Sequence, residues 1–316
     1  MADSDIDVSF VAPVFNKSGA IRYFLDSLSA QEGDFNAEYV FVDDASTDES
    51  REVLRRATAG WPNVVLIENA RNAGPAIRLN QGAARARGRY LCLVDPDEIL
   101  AADAVMSMMG LLESREADIV HGKWCMTGVQ AADIVAWRIG ATPRHLVSDR
   151  PLDTVLGRGL VRMTWLVRRA LFERAGGCDE RVFIQDESLP LRLCLHARRF
   201  IDLREIVTYV PAGGGHLSEN KTQQHHDRFF AYYLFLDDTP ALTDGQRRAV
   251  YRKCVSSAWK SAREGQASPV KLRFLARYLA SRLGRGRPDD MVLRDIAGYF
   301  AGLPGVRRPG LAGRDG

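Results

Sequence analysis

Three short acidic clusters in this chain carry side chains that could do chemistry. The first is Asp95-Pro96-Asp97, two carboxylates one residue apart after an apolar run. If the chain turns there, both can face one cavity. Hard divalent cations prefer oxygen ligands, and Mg²⁺ or Mn²⁺ often joins one or two carboxylates to substrate phosphates. An isolated pair of this kind is more simply a polar turn with Asp as a helix cap. A second cluster on the same sheet edge favours the functional reading. It is Asp43-Asp44, followed by Ala45-Ser46-Thr47-Asp48. A carboxylate there could accept from the imide N–H of uracil or from ribose hydroxyls. Ser46 or Thr47 could equally cap the next helix, and the two roles are compatible. The third cluster, Asp186-Glu187, opens a helical stretch reading QDESLPLRL. Such carboxylates ordinarily favour the helix dipole, but one could be a general base toward an acceptor hydroxyl.

Weaker signals accompany these. Asn72-Ala73-Gly74-Pro75 begins a helix, and a helix start with Gly74 nearby favours phosphate. Gly and Pro mark most helix starts, so this alone decides little. His216 follows three glycines. Its neutral imidazole could complete a metal site, or it is a plain loop residue. The pair His225-His226 is expected on a solvated helix face. No G-x-G-x-x-G follows a strand and no G-x-x-x-x-G-K-[ST] occurs, so dinucleotide and P-loop readings lose support. A G-x-S-x-G elbow is absent too, and no Cys sits among cations at a turn.

The elements that must position these residues alternate. Strands are predicted at Asp7–Val14, Tyr39–Val42, Val64–Ile67, Tyr90–Val94 and Asp118–His121, with helical patterns between them. Repetition of this length implies a mainly parallel sheet covered by helices, with ligands beyond the strands' carboxyl ends. Both Asp43-Asp44 and Asp95-Pro96-Asp97 fall at such ends. The stretch Thr127–Val155 has no clean period and reads as irregular, partly helical and mobile. Further strands are predicted at Leu160–Leu166 and Val207–Val210, and a helix at Asp186–Ala197. From about Gln223 the chain reads as helical to Phe300, with breaks at Asp237–Thr243 and Pro269. The residues beyond Gly302 read as a frayed tail.

Composition bounds the rest. The chain has 316 residues, 46% hydrophobic and 26% charged, which suits a globular protein with a sizeable core. The net charge of +3 does not announce a nucleic-acid binder. From Gly245 to Arg287, however, 12 Lys or Arg face a single acid, Glu264, so the remainder of the chain is acidic. Five cysteines without close spacing read as free thiols of a reducing compartment. The first residues lack a signal-peptide pattern, and no apolar run approaches 18 residues, so a cytoplasmic protein is expected. Within the basic segment, Leu272, Leu275, Ala276, Leu279 and Leu283 recur at helical spacing, with Lys271, Arg273, Arg277 and Arg282 off that stripe. Either the leucines pack on the body with the cations solvated, or the segment docks on an anionic membrane.

Taken together the motifs resemble the inverting glycosyltransferases of family 2, over roughly the first 220 residues. YVFVDDASTDES resembles the family's V-D-D-G-S-T-D signature, with Ala45 in place of Gly. The segment from Asn69 to Leu100 resembles its N-x-G-x-x-x-A-x-N-x-G run leading into L-D-x-D-D, with Glu98 replacing the last Asp. FERAGGCDERVFIQDESLPLRL resembles G-G-F-D-E followed by E-D-x-x-L-x-x-R, with Gln185 in place of Glu. The resemblance implies the GT-A fold over residues 1–222, and the residues that follow read as a basic helical extension over 223–302 and a flexible tail over 303–316. It implies a nucleotide-binding set of Pro13, Phe15, Asp44, Gly74 and Asp95, with Asp97 and, more loosely, His216 on Mg²⁺ or Mn²⁺. Asp186 is implied as the catalytic base. The implied partners are a nucleotide-sugar donor, such as a UDP-sugar, and a glycan or lipid-linked acceptor of surface polysaccharide synthesis. Peripheral association at the cytoplasmic face of a membrane is compatible with the basic segment. The competing readings are a sugar-phosphate nucleotidyltransferase, which would need a cationic Gly-rich loop where this chain has PVFNKSG, and a catalytically silent nucleotide-sugar binder.

Overall fold

Apolar strands and amphipathic helices alternate along the chain, and the structure, a computed structural model, assembles them into three layers. It describes residues 5–134, 136–158, 165–211, 220–264, 269–283 and 288–308. In order the elements are β1 (Val8–Val14), α1 (Ile21–Ser29), β2 (Ala37–Asp43), α2 (Ser50–Thr58), β3 (Val64–Glu68), α3 (Pro75–Ala83), β4 (Tyr90–Leu93), β5 (Ile99–Leu100), α4 (Ala104–Ser114), β6 (Ile119–Met126), β7 (His145–Ser148), α5 (Pro151–Arg158), β8 (Trp165–Arg168), α6 (Arg169–Ala175), α7 (Gln185–His196), β9 (Phe200–Val210), α8 (Lys221–Asp238), α9 (Asp244–Glu264), α10 (Pro269–Arg282) and α11 (Asp290–Ala301).

The strands form one sheet in the order β3-β2-β1-β4-β8-β6-β9-β5, with β7 also on β9. The half β3-β2-β1-β4 is parallel throughout. β8 runs antiparallel between β4 and β6, and β6 is again parallel to β9. β1 is buried along its whole length, as a strand covered on both faces must be. Its Val8, Phe10, Ala12 and Val14 join the core under α1 and α4, while Val11 joins the core on the opposite face. That second core is continuous through α3, α5 and α7 into Phe229, Val255, Phe274, Ile296 and Phe300 of the last four helices. The basic segment therefore shares a core with the sheet.

Glu38 of β2 is a buried carboxylate with a structural task. Its Oε1 accepts from Ser9 Oγ at 2.5 Å and from the Gly88 amide at 3.2 Å. Arg87 adds both its amide and its guanidinium. Burial pushes the Glu38 carboxyl up, but these hydrogen bonds outweigh it and hold the group below its ordinary range. The turn that launches β4 is thus bonded to β1 and β2. Gly88 is required there, because a Cβ would lie 2.6 Å from the Ser9 nitrogen.

Several expectations need correction. The stretch Thr127–Val155, expected to be irregular and partly helical, does hold the start of α5 but also a strand not foreseen, β7, which pairs with β9. Of the strand expected at Leu160–Leu166, residues 160–164 lie outside the described residues, and the strand seen is Trp165–Arg168. Ser46 and Thr47 do not cap α2, which starts at Ser50 without a side-chain cap. His225 and His226 are buried, the latter 2.7 Å from Asp227 and tilted against Phe230. All five cysteines are free, and Cys125 is the one not buried.

The largest correction concerns α10. Leu272, Leu279 and Leu283 are 71%, 51% and 74% exposed, whereas Phe274 is fully buried. One aromatic residue decides the helix orientation: Phe274 packs edge-on against Tyr299, and Arg273 and Arg277 ion-pair with Asp295 of α11. These contacts predict opposite costs from the leucine stripe. Phe274→Ala should destabilise the protein by about 3–5 kcal/mol. Leu272→Gln should change stability by no more than about 0.5 kcal/mol. Urea denaturation of both variants checks this; a larger loss for the leucine variant would contradict the orientation.

Candidate active site

The parallel half of the sheet brings the acidic turns together. β1 lies between β2 and β4, and all three point the same way, so Phe15, Asp44 and Asp95 leave the sheet at one edge. Val14 sits opposite Asp43 in the ladder. From β1 the chain steps outward to β2 and β3, then returns to β4 on the other side, which opens a crevice at the strands' carboxyl ends. A cavity of about 710 Å³ occupies it. That is within the range of roughly 300–1,000 Å³ typical for small-molecule sites. Pro13, Phe15, Asp44, Asp95, Asp97 and Asp186 all line it.

Burial alternates along the acidic turn. Asp95 and Asp97 are half-buried, whereas Pro96 and Glu98 are buried. Both aspartates therefore face the cavity, and Glu98 faces the interior. Asp97 Oδ2 meets the ammonium of Lys17 at 2.5 Å. Asp95 Oδ1 accepts from Gln185 Nε2 at 3.0 Å. A glutamate at position 185 would set a second negative charge against Asp95, where the amide donates. No three His, Cys, Asp or Glu side chains among the described residues form a metal cage. Two carboxylates on one turn still suit a hard cation that takes its remaining ligands from phosphate oxygens and water. The donor set thus fits Mg²⁺ or Mn²⁺, with Lys17 competing for Asp97. His216 lies outside the described residues.

Asp44 and Gly74 are organised otherwise than their motifs suggest. Asp44 is 2% exposed, and it accepts from the amides of Ala73 and Gly74, each at 2.8 Å, and from Arg78 Nε at 2.6 Å. The helix-start amide expected to favour phosphate is therefore committed to a protein carboxylate. Gly74 has φ +96°, and a Cβ there would lie 2.6 Å from the ring of Phe183. It is glycine for backbone conformation and for close approach. The loops around it are strained as well. Ala45 holds φ +62°, where a glycine would be at ease, at a cost of roughly 1–2 kcal/mol. Asn16, at φ +50°, is fixed by Ser46 and Thr47: Ser46 Oγ accepts its amide, and Asn16 Oδ1 accepts the Thr47 amide. Those hydroxyl residues fasten the β1 loop to the β2 loop.

Asp186 and Glu187 are adjacent but differ in setting. Asp186 is half-buried and borders the cavity. Glu187 is buried and engaged by Arg228, which donates from Nε at 2.9 Å and from Nη2 at 2.6 Å. Burial pushes the Glu187 carboxyl up, and Arg228 pulls against it. One residue earlier on α8, Asp227 Oδ2 accepts the Ile184 amide at 2.9 Å. Asp227 and Arg228 thus hold the chain on either side of Asp186.

Sequence reasoning missed several participants. Lys17, Trp124, Gln223 and Arg307 also line the cavity. Arg307 falls in the stretch read as a frayed tail, yet its amide donates to Gln223 Oε1 at 2.7 Å and its carbonyl accepts from Gln223 Nε2. Its guanidinium lies 6.0 Å from the ring centre of Phe15 and 5.6 Å from that of Phe183. Nothing local marks these residues, since Lys17 and Asp97 are 80 positions apart and Gln223 and Arg307 are 84 apart. Gln185 did carry a signal, as a departure from the family pattern.

An α/β sheet with acidic turns around a cavity of this size at its parallel strand ends has the architecture of the GT-A transferases. Residues 1–349 of Staphylococcus aureus TarS, in complex with UDP-GlcNAc, superpose with a TM-score of 0.69 at 17% identity, over 93% of this chain and 89% of that one. The mannosyltransferase PcManGT of Pyrobaculum calidifontis, in complex with GDP-Man and Mn²⁺, gives 0.59 at 17% identity, over 94% and 88%. Residues 9–151 match the family model for Glycosyl transferase family 2. Residues 9–151, just under half of the chain, are therefore similar to family 2 glycosyltransferases, and the fold is that of the GT-A structures. The poly(ribitol-phosphate) beta-glucosyltransferase of Bacillus spizizenii is 34% identical over 120 residues, 37% of this chain and 19% of that protein. This match thus spans about a fifth of that relative's length.

The pairing of Glu187 has a measurable consequence. Arg228→Met leaves a buried carboxylate without its cation and should cost about 3–5 kcal/mol at neutral pH. Without Arg228 the carboxyl's pKa is raised further, so the folded state binds a proton that the unfolded state has already lost. The deficit is then full above that raised pKa and closes as pH falls toward the ordinary value of 4.5. The double variant Arg228→Met, Glu187→Met should recover most of the loss. Denaturation midpoints between pH 7 and pH 5 check the sign.

Proposed function

We propose that this chain transfers a sugar from a nucleotide-diphospho-sugar, most simply a UDP-sugar, to a hydroxyl of a glycan or lipid-linked acceptor, with inversion at the anomeric carbon. The observation that carries this reading is that Asp95, Asp97 and Asp186 border one cavity with Phe15 and Asp44. The UDP-GlcNAc complex of TarS and the teichoic-acid and polysaccharide names among the relatives support donor and setting.

In this reading the base and ribose lie near Pro13, Phe15 and Asp44, and Arg307 borders the same end. Asp44 keeps the loop at residues 72–74 in place, and one face of its carboxylate remains on the cavity wall. Asp95 and Asp97 would hold Mg²⁺ or Mn²⁺. A bound divalent ion supplies neutralisation of the charge that builds on the departing diphosphate. Lys17 keeps Asp97 charge-compensated when the cation is absent. Gln185 orients Asp95 through its amide.

Asp186 takes the proton of the acceptor hydroxyl, whose oxygen attacks the anomeric carbon from the face opposite the leaving group. Asp186 rather than Glu187 suits this task, because Glu187 is consumed by Arg228. The exposed Leu272, Leu279 and Leu283, near Lys271, would let α10 rest on an anionic membrane. No helix of the described residues is long and apolar enough to cross one.

Two variants test the chemistry. A screen of nucleotide sugars with and without Mn²⁺ should find one that is transferred or hydrolysed only with metal. Asp97→Ala should lose most of that turnover while remaining folded, and full turnover in chelator would sink the metal reading. Asp186→Asn should lower kcat by roughly 10²–10⁴-fold with donor affinity little changed. If Glu187→Gln were crippled in kcat at unchanged stability and Asp186→Asn were not, the base would be the neighbouring residue.

A further inference from the structure

A second cavity, of about 610 Å³, lies on the far side of Arg228, walled by α5, α8, α9 and α10. Six cations line it, Arg158, Arg228, Arg252, Lys253, Lys260 and Arg282, against one carboxylate, Asp153. Part of that charge is answered. Arg158 pairs with Asp202 and Arg228 with Glu187. Asp153 is itself taken up by Arg150, and it accepts from Gln246. Among the described residues, Arg252, Lys253, Lys260 and Arg282 have no carboxylate within ion-pair distance.

The sequence builds this cluster from one helix face. Gln246, Ala249, Lys253, Ser256, Ser257 and Lys260 of α9 follow at helical spacing and all border the cavity. Arg252 flanks that face, and Arg282 closes it from the end of α10. Convergent like charges raise one another's energy. The Lys253 ammonium records this: burial first, then Lys260, Arg228 and Arg282, hold it below the ordinary lysine range. Such an arrangement is stabilised by a bound anion.

Its position points to the anion's role. Gln224, Arg228 and Tyr232 succeed one another on one face of α8. Gln224 and Arg228 line the first cavity, and Arg228 and Tyr232 the second. The two are therefore consecutive along the helix, with roughly 12 Å between the outer residues. The cations surround a concave cavity, with Lys253 half-buried in its wall, so a flat bilayer surface fits it poorly, whereas a chain can thread it.

We propose that the second cavity binds a phosphate group of the acceptor, so that a phosphodiester-linked chain is held with its reacting hydroxyl toward Asp186. This rests on the transferase reading above and adds to it the chemical class of the acceptor. The contacts would be charge-assisted hydrogen bonds from Lys253, Lys260, Arg252 and Arg282, with Ser256 as a further donor.

The test uses the full chain and a soluble phosphodiester-linked polyol polymer, with an uncharged glycan of similar length as control. The polymer should bind, the glycan should not, and binding should weaken with salt. Lys253→Gln, Lys260→Gln together should weaken the polymer by roughly ten- to hundredfold. Their melting temperature should equal or exceed that of the wild type, because like-charge repulsion has been removed. The exposed pair Arg252→Gln, Arg282→Gln gives a second variant with the same expected loss. Unchanged polymer affinity in both variants would overturn the proposal, as would a polymer bound no better than the glycan. So would a loss confined to phosphatidylglycerol vesicles, which would assign the cluster to lipid headgroups. UDP titration of the wild type separates the two readings. Polymer binding without UDP binding removes the donor assignment alone, and UDP binding without polymer binding removes the second cavity alone.

Discussion

The grip of α8 on the first turn of α7 is the contact on which the site depends most. Asp227 accepts the Ile184 amide and Arg228 pairs with Glu187, so consecutive residues of one helix fix both flanks of Asp186. The arrangement is costly to build, because the Asp227 and Glu187 carboxylates are both buried. It holds because the buried carboxylates are answered: Asp227 also accepts from Gln223 and lies beside His226, and Gln223 in turn fixes the backbone of Arg307. The C-terminal helices are therefore part of the wall that carries Asp186.

A different economy governs the opposite side of the cavity. There the strand ends of β1, β2 and β4 are brought together by parallel pairing, and short polar contacts set their loops. Asn16 and Ala45 adopt left-handed conformations that the surrounding hydrogen bonds over-determine. Asp44 spends its carboxylate on Ala73, Gly74 and Arg78, so it shapes the rim as much as it could read a ligand. On this side rigidity comes from backbone capture, and on the α8 side from paired charge.

The basic C-terminal half divides its charge between two uses. Arg273 and Arg277 are consumed by Asp295, which ties α10 to α11. Arg252, Lys253, Lys260 and Arg282 are instead gathered around a cavity that offers them little counter-charge. Net charge does not distinguish these cases. The difference lies in which helix faces meet, and it separates a structural role from a surface poised for an anionic partner.

The order of strands and helices was legible because it rests on local period, and a strand followed by Asp43-Asp44 or Asp95-Pro96-Asp97 is a local pattern. Parallel pairing then obliges those carboxylates to share an edge, so the acidic heart of the site was readable as well. The face of α10 was not. Leucines at helical spacing describe an apolar stripe, but a helix buries whichever side meets a partner, and here Phe274 met Tyr299. The same holds for the buried His225 and His226, for Gln185 on Asp95, and for Arg307 beside Phe15. Each depends on a contact between residues far apart in the chain or on a neighbouring helix, and side-chain type alone does not encode such a contact. The sequence by itself determined the elements and the chemistry at their ends; the tertiary structure decided which charges are paired, which are buried, and which face open space.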